Sequence, residues 1–446
     1  MNRDASPAPE LHRARRQRLL NALGDGLLLL PTAAETLRNG DVHHEYRPGS
    51  DFHFLTGFPE PEAVLLAWRI DRATHRSVLF VRPRDKAREV WDGRRFGVEG
   101  TRHHFGVDEA WSIAELWKRL PALLWAQTRL FHRLGADQVL DRRLMDLFAA
   151  QAKKHRRRAP PAHPVIEDPI PALAALRLVK DGPELDALRS AAAVTAAGHR
   201  LAMRTAGPGM REYEVQSVLE GEFRRLGSPR NGYPSIVASG RNACILHYHD
   251  NDRLMRSGDL LLIDAGAEVC GATADVTRTF PVSGRFSPPQ AAAYRAVLRA
   301  QLAGIRACRQ GAPWDAAHKV CLRWLTRGLV ELGVLRGDVD KLIRRERYKP
   351  WYMHGTSHWL GRDVHDVGAY QDAGDRPHVL RAGMVLTVEP GLYFDPHDRR
   401  VPAELRGIGI RIEDDVLVTR GGPRVLTAAV PKGVDEVERL CRPDQV

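Results

Sequence analysis

The sequence predicts a two-domain α/β protein, and three observations carry that expectation. At 446 residues the chain exceeds the roughly 250–300 that one hydrophobic core sustains. Short apolar runs alternate with helix-like stretches, as in domains where helices cover sheets. Between Ala159 and Ala172, prolines 160, 161, 164, 169 and 171 withhold backbone donors and break both helix and sheet. The boundary is therefore placed there, giving domains 1–172 and 173–446.

The stretch from Met1 to Leu20 carries Arg13, Arg15, Arg16 and Arg18 but also Asp4 and Glu10. It reads as a first helix, with a mitochondrial presequence as the alternative. Gly26–Leu30 and Ser77–Val81 read as strands of the first domain. The basic run Lys153–Arg158 reads as a solvated loop. After the prolines, Asp181 or Gly182 caps a long helix with Pro183 in its first turn. Helices over Arg211–Leu226 and Pro288–Ala307, the second opened by Ser287, bracket a strand-rich block.

A composition of 43% hydrophobic and 27% charged residues is that of a soluble globular protein. No stretch approaches the ~20 apolar residues of a membrane helix, so no membrane partner is expected. The net charge of +12 is spread along the chain, and no nucleic-acid partner is expected. Five cysteines without a CxxC pair argue against a disulfide framework and for a reducing, cytoplasmic setting.

The second domain holds the residues that carry chemistry. Asp259–Phe280 reads as two strands joined by a tight turn. Centred on Val269-Cys270, that turn sets Asp264 opposite Asp275 and aims both carboxylates at one spot. Such a pair repels unless a cation lies between them. Alternatively, Asp264 caps the turn at Ala265-Gly266 and Asp275 pairs with Arg278. His354, His358 and His365 share one glycine-punctuated segment, and their spacing leaves open which of them binds metal. Glu389 ends a strand before Pro390-Gly391, where it is either exposed or bound to something. Alternation over Gly407–Val418 puts Arg411 and Glu413 on one face, which also suits an ion pair facing solvent. Four carboxylates and an imidazole suit two divalent ions such as Mn²⁺, Co²⁺ or Zn²⁺, and metal-assisted hydrolysis.

These segments resemble the pita-bread metallopeptidases, and among them the Xaa-Pro aminopeptidase (aminopeptidase P) family. LLLIDAGAEVCGATADVTRTFPV, HGTSHWLGRDVHDVG, VLTVEPGLY and GIGIRIEDDVLVT match its motifs in order and spacing, and RPGSDFHFLTGFPEPE from Arg47 is similar to a signature of its first domain. The resemblance implies a creatinase-like α/β domain followed by a pita-bread catalytic domain. It implies Asp264 and Asp275 as ligands of one ion, with Asp275 and Glu413 bridging to a second held by His358 and Glu389. Manganese is the usual metal. It assigns catalytic roles to His247, His354, His365 and Glu389, with Glu389 as proton shuttle. Tyr393 and Arg411 line a proline pocket with His354, and Trp91 closes a neighbour's cleft in a homo-oligomer, dimer or tetramer. The implied substrates are peptides with proline second, a residue that lacks an amide hydrogen and so defeats ordinary peptidases. A dipeptidase for Xaa-Pro would use the same ligands. A silent binding module is the other alternative, but its mark is lost ligands, and none is replaced here.

Overall fold

The computed structural model describes residues 9–154 and 164–442. It divides into two compact units, Met1–Leu176 and Arg177–Val446. Most of the basic run, from His155 onward, and prolines 160 and 161 lie outside the described residues.

The first unit is built on a six-stranded sheet in the order Glu109–Ser112, His75–Val81, Val64–Arg69, Leu27–Pro31, Arg129–Phe131, Val165–Glu167. Its three central strands pair antiparallel, and the outer ones add in parallel. The leucine run at 27–30 is buried on both faces because successive side chains point opposite ways. Leu28, Leu30, Leu65 and Leu79 pack with Leu19 and Leu20 of the helix Pro9–Leu23 and with Phe52 and Phe54 of Ser50–Thr56. Leu27, Leu29, Leu66 and Phe80 pack with Leu116 and Leu120 of Leu116–Leu124 and with Leu140 and Leu144 of Gln138–Lys154. Helices thus cover both faces of the sheet.

In the second unit an order of elements occurs twice. The helices Gly182–Thr205 and Glu212–Arg225 precede an antiparallel sheet of Ile236–Ser239, Leu260–Asp264 and Thr277–Pro281. The helices Pro288–Ala307 and Ala316–Glu331 precede a second, of Val385–Val388, Asp414–Thr419 and Gly422–Val425. Asp181, not Gly182, caps the first long helix, accepting from Glu184 N at 3.0 Å, and Ser287 accepts from Gln290 N at 3.4 Å. One continuous core joins both helix pairs to both sheets, through Leu219, Leu261, Val297, Leu325, Leu386 and Val416 among others. Among the described residues no helix is long and apolar enough to cross a membrane.

Candidate metal centre

The two aspartates come from one hairpin. The strand Ala267–Val269 returns as Ala272–Thr273 through Cys270 and Gly271, with φ +51° and +73°. Two consecutive positive φ values are the signature of a type I′ turn, which glycine favours. The turn therefore falls one residue later than expected at Val269-Cys270. Asp264 faces Thr277 directly, and Asp275 lies on the diagonal, across from Gly266. Diagonal neighbours share a face, so both carboxylates still point to one place. Residue 266 has no room for more than glycine, since a Cβ there would lie 1.7 Å from Ala274 O.

Tyr233 marks that place. Its hydroxyl lies 2.7 Å from Asp264 Oδ1 and 2.5 Å from Asp275 Oδ1. Burial first, and then both carboxylates, push its phenol well above the usual range, so the proton stays on. One hydroxyl proton serves only one carboxylate at a time. The other oxygen of Asp264 accepts from Arg411 Nη2 at 2.6 Å.

The remaining groups come from the second half of the unit. Thr356–His358 lies against the end of the strand Val385–Val388: Thr387 N donates to His358 O at 3.0 Å and Glu389 N to Thr356 O at 2.9 Å. His358 Nδ1 donates to Trp359 O at 3.0 Å, which leaves Nε2 as the free nitrogen. Nε2 lies 3.3 Å from Asp275 Oδ2 and 3.6 Å from Glu389 Oε1. Burial disfavours its charged form, but Asp275 and then Glu389 outweigh that and raise it to about 9. Glu389 is pushed up to about 7, by burial and by Asp275 and Asp264 against the opposing pull of His358 and Arg411.

Glu413 follows the strand Gly409–Arg411, is 2% exposed, and has its carboxyl driven well above the usual range by burial, Asp275 and Glu389. Thr277 donates to its Oε2 at 2.7 Å, while Oε1 is buried without a partner among the described residues. Ligand atoms of Asp275, His358 and Glu413 lie within 4.8 Å of one another. An orphaned carboxylate oxygen, three further acids and an imidazole with its accepting nitrogen turned inward fit divalent cations.

The two alternative pairings that the sequence left open do not form. Asp275 does not pair with Arg278, whose guanidinium is fully buried against Asp414 at 2.7 Å. Arg411 and Glu413 are not a solvent-facing pair either. Both are buried, and Arg411 bonds Asp264, Tyr393 OH at 3.1 Å and Thr277 Oγ1 at 3.1 Å.

A cavity of about 450 Å³ is lined by Asp264, Asp275, His358, Glu389, Glu413 and Arg411, with His247, His249, His354 and His365 also on its wall. His354 Nε2 accepts from Tyr393 OH at 2.9 Å, and burial, reinforced by Arg411, depresses its pKa to about 4. The His365 ring stands edge-on to that of His358 with centroids 4.5 Å apart. Trp91 is 85% exposed on Lys86–Asp92 of the first unit. Sequence reasoning missed Tyr233 and Thr277. No local pattern flags either, because their partners lie tens to more than a hundred residues away.

Residues 186–420 match the model of metallopeptidase family M24, and residues 12–131 match that of the aminopeptidase P N-terminal domain. The chain is 43% identical over 431 residues to the Xaa-Pro aminopeptidase of Escherichia coli strain K12, covering 96% of each chain. It is 41% identical over 438 residues to that of Haemophilus influenzae, covering 97% of each. Among solved structures, Pseudomonas aeruginosa aminopeptidase PepP superposes with a TM-score of 0.94 at 46% identity, covering 97% of this chain and 98% of that one. An Escherichia coli aminopeptidase P variant in complex with substrate also gives 0.94, at 41% identity, covering 98% and 99%. Likeness of this extent, continuous through both units and through every segment that builds the acidic cavity, places the chain in metallopeptidase family M24, with an aminopeptidase P N-terminal domain ahead of the catalytic one.

Proposed function

We propose that this protein is a dinuclear-metal Xaa-Pro aminopeptidase, which removes an N-terminal residue from peptides whose second residue is proline. The observation that carries the reading is the convergence of ligand atoms of Asp275, His358 and Glu413 within 4.8 Å of one another, with Glu413 Oε1 buried and unpartnered among the described residues. The names of relatives above 40% identity supply the substrate class. Asp264, Asp275, His358, Glu389 and Glu413 would hold two divalent ions, manganese in our reading. Such ions lower the pKa of water and polarise a peptide carbonyl.

The chain's own groups do the rest. Glu389 takes the proton that the attacking water releases as its oxygen bonds the carbonyl carbon. It returns that proton to the proline nitrogen as the carbon–nitrogen bond breaks. His247 and His365, on the cavity wall, donate to the charge that gathers on the carbonyl oxygen. His354, Tyr393 and Arg411 form a hydrogen-bonded wall for the proline ring. Trp91, exposed on its helix, serves a neighbouring subunit of a dimer or tetramer. Five free cysteines favour the cytoplasm.

Mn²⁺-loaded protein offered Gly-Pro and an Arg-Pro-Pro-type peptide tests the reading. Cleavage of the longer peptide after its first residue is expected. Cleavage of the dipeptide alone would make the protein an Xaa-Pro dipeptidase.

A further inference from the structure

Away from the acidic cavity lies another fully buried carboxylate. Glu212, 0% exposed, is the first residue of the helix Glu212–Arg225. Its Oε1 accepts from Ser239 N at 2.6 Å and Asn242 Nδ2 at 3.3 Å, and its Oε2 from Tyr248 OH at 2.8 Å and Arg253 N at 2.9 Å. No cationic side chain is among these partners, and a carboxylate is tolerated in such a place only when its lone pairs are used. All four donors belong to one segment, 239–253, and they grip it at both ends and in the middle. Glu212 N adds a bond to Arg253 O at 3.1 Å, and Arg211 Nη1 one to Asp252 O at 2.9 Å.

That segment carries His247. After the short helical turn Gly240–Cys244 it has no regular structure of its own to hold it. Tyr248 is buried at 6% exposure and reaches down to Glu212, while His247 beside it is exposed and lines the cavity. Among the described residues no hydrogen bond reaches the His247 ring. The imidazole is therefore placed by its backbone alone.

We infer that Glu212 is a positioning residue for the reaction: by tying Ser239, Asn242, Tyr248 and Arg253 to one carboxylate, it sets where His247 meets the substrate carbonyl. The inference rests on the proposed role of His247. It is tested on Mn²⁺-loaded wild type, Glu212→Gln, His247→Ala and their double variant, by kcat and KM on an Arg-Pro-Pro-type peptide, Mn²⁺ stoichiometry and amide exchange over 239–253. Glu212→Gln is expected to keep its Mn²⁺, to exchange faster in that segment, and to lose kcat toward the about 10²-fold that a displacement of about 1 Å costs. The double variant is expected to be no slower than His247→Ala, because a displaced imidazole and a deleted one fail in the same way. Tyr248→Phe, which deletes one bond of the four, repeats the test should Glu212→Gln fail to fold. Wild-type kcat in these variants beside a slow His247→Ala, or losses that multiply in the double variant, would overturn the inference and leave the proposed function standing. Wild-type rates in His247→Ala would instead remove the role of His247, and the inference with it.

Discussion

Glu413 Oε1 and His358 Nε2 are the two atoms whose surroundings say most about the cavity, one an acceptor without a donor and the other a nitrogen turned among acids. Asp275→Asn or Glu413→Gln is expected to abolish Mn²⁺ binding and peptidase activity together, read by metal analysis alongside turnover. His365→Ala is expected to keep the metal and lower kcat by about 10²-fold, the usual worth of one donor to developing charge. Tyr233→Phe keeps the ring but removes the hydroxyl between Asp264 and Asp275, so Mn²⁺ affinity is expected to fall about 10–100-fold by calorimetric titration. At this scale the sequence was readable where a side chain ends an apolar strand, as at Asp264 and Glu389. It was opaque at Tyr233 and Thr277, since a hydroxyl's partner is chosen by the fold and leaves no trace in its neighbours.

Elements were legible where a local rule governs them: the proline-opened helices after Asp181 and after Ser287 and the leucine strand at 27–30, although the choice of Asp181 over Gly182 as cap needed the structure. The hairpin register was missed by one residue because both Cys270-Gly271 and Val269-Cys270 are plausible turn centres, and only the backbone angles choose between them. Two strands of different sheets, Thr277–Pro281 and Asp414–Thr419, carry an ion pair that no pattern announces. Arg278 and Asp414, both fully buried, are joined by Lys432, Gln301 and Thr427. Arg278→Met leaves Asp414 undercompensated, and urea unfolding is expected to register a loss of about 3–5 kcal/mol. Gly266→Ala, which drives a methyl into Ala274 O, is expected to cost both stability and metal, checked by the same titrations.

Over the whole molecule, stability is tied to pH through groups outside the metal cavity. Burial works to raise the Asp366 carboxyl, yet Lys180 at 2.6 Å and Arg177 outweigh it and hold the pKa below its ordinary value. A depressed carboxylate stabilises the fold above the unfolded value of about 3.9 and loses that contribution as pH falls through the folded one. The stability gap between wild type and Asp366→Asn is therefore expected to be widest at neutral pH and to shrink below about pH 4, followed by denaturant titration at each pH. The repeated order of helix pair and sheet in the second unit bears on how this protein is made. Asp264 ends one strand of the first of those sheets and Asp275 lies just ahead of another, Glu389 and Glu413 flank strands of the second, and a long run of chain must be folded between them. On the proposed assignment neither half holds a complete ligand set, so tight metal uptake is expected to wait for long-range closure as a late step of folding. A nascent chain still short of Glu413 would have no complete site into which to draw a divalent ion, and metal would act as a proofreader of the finished fold.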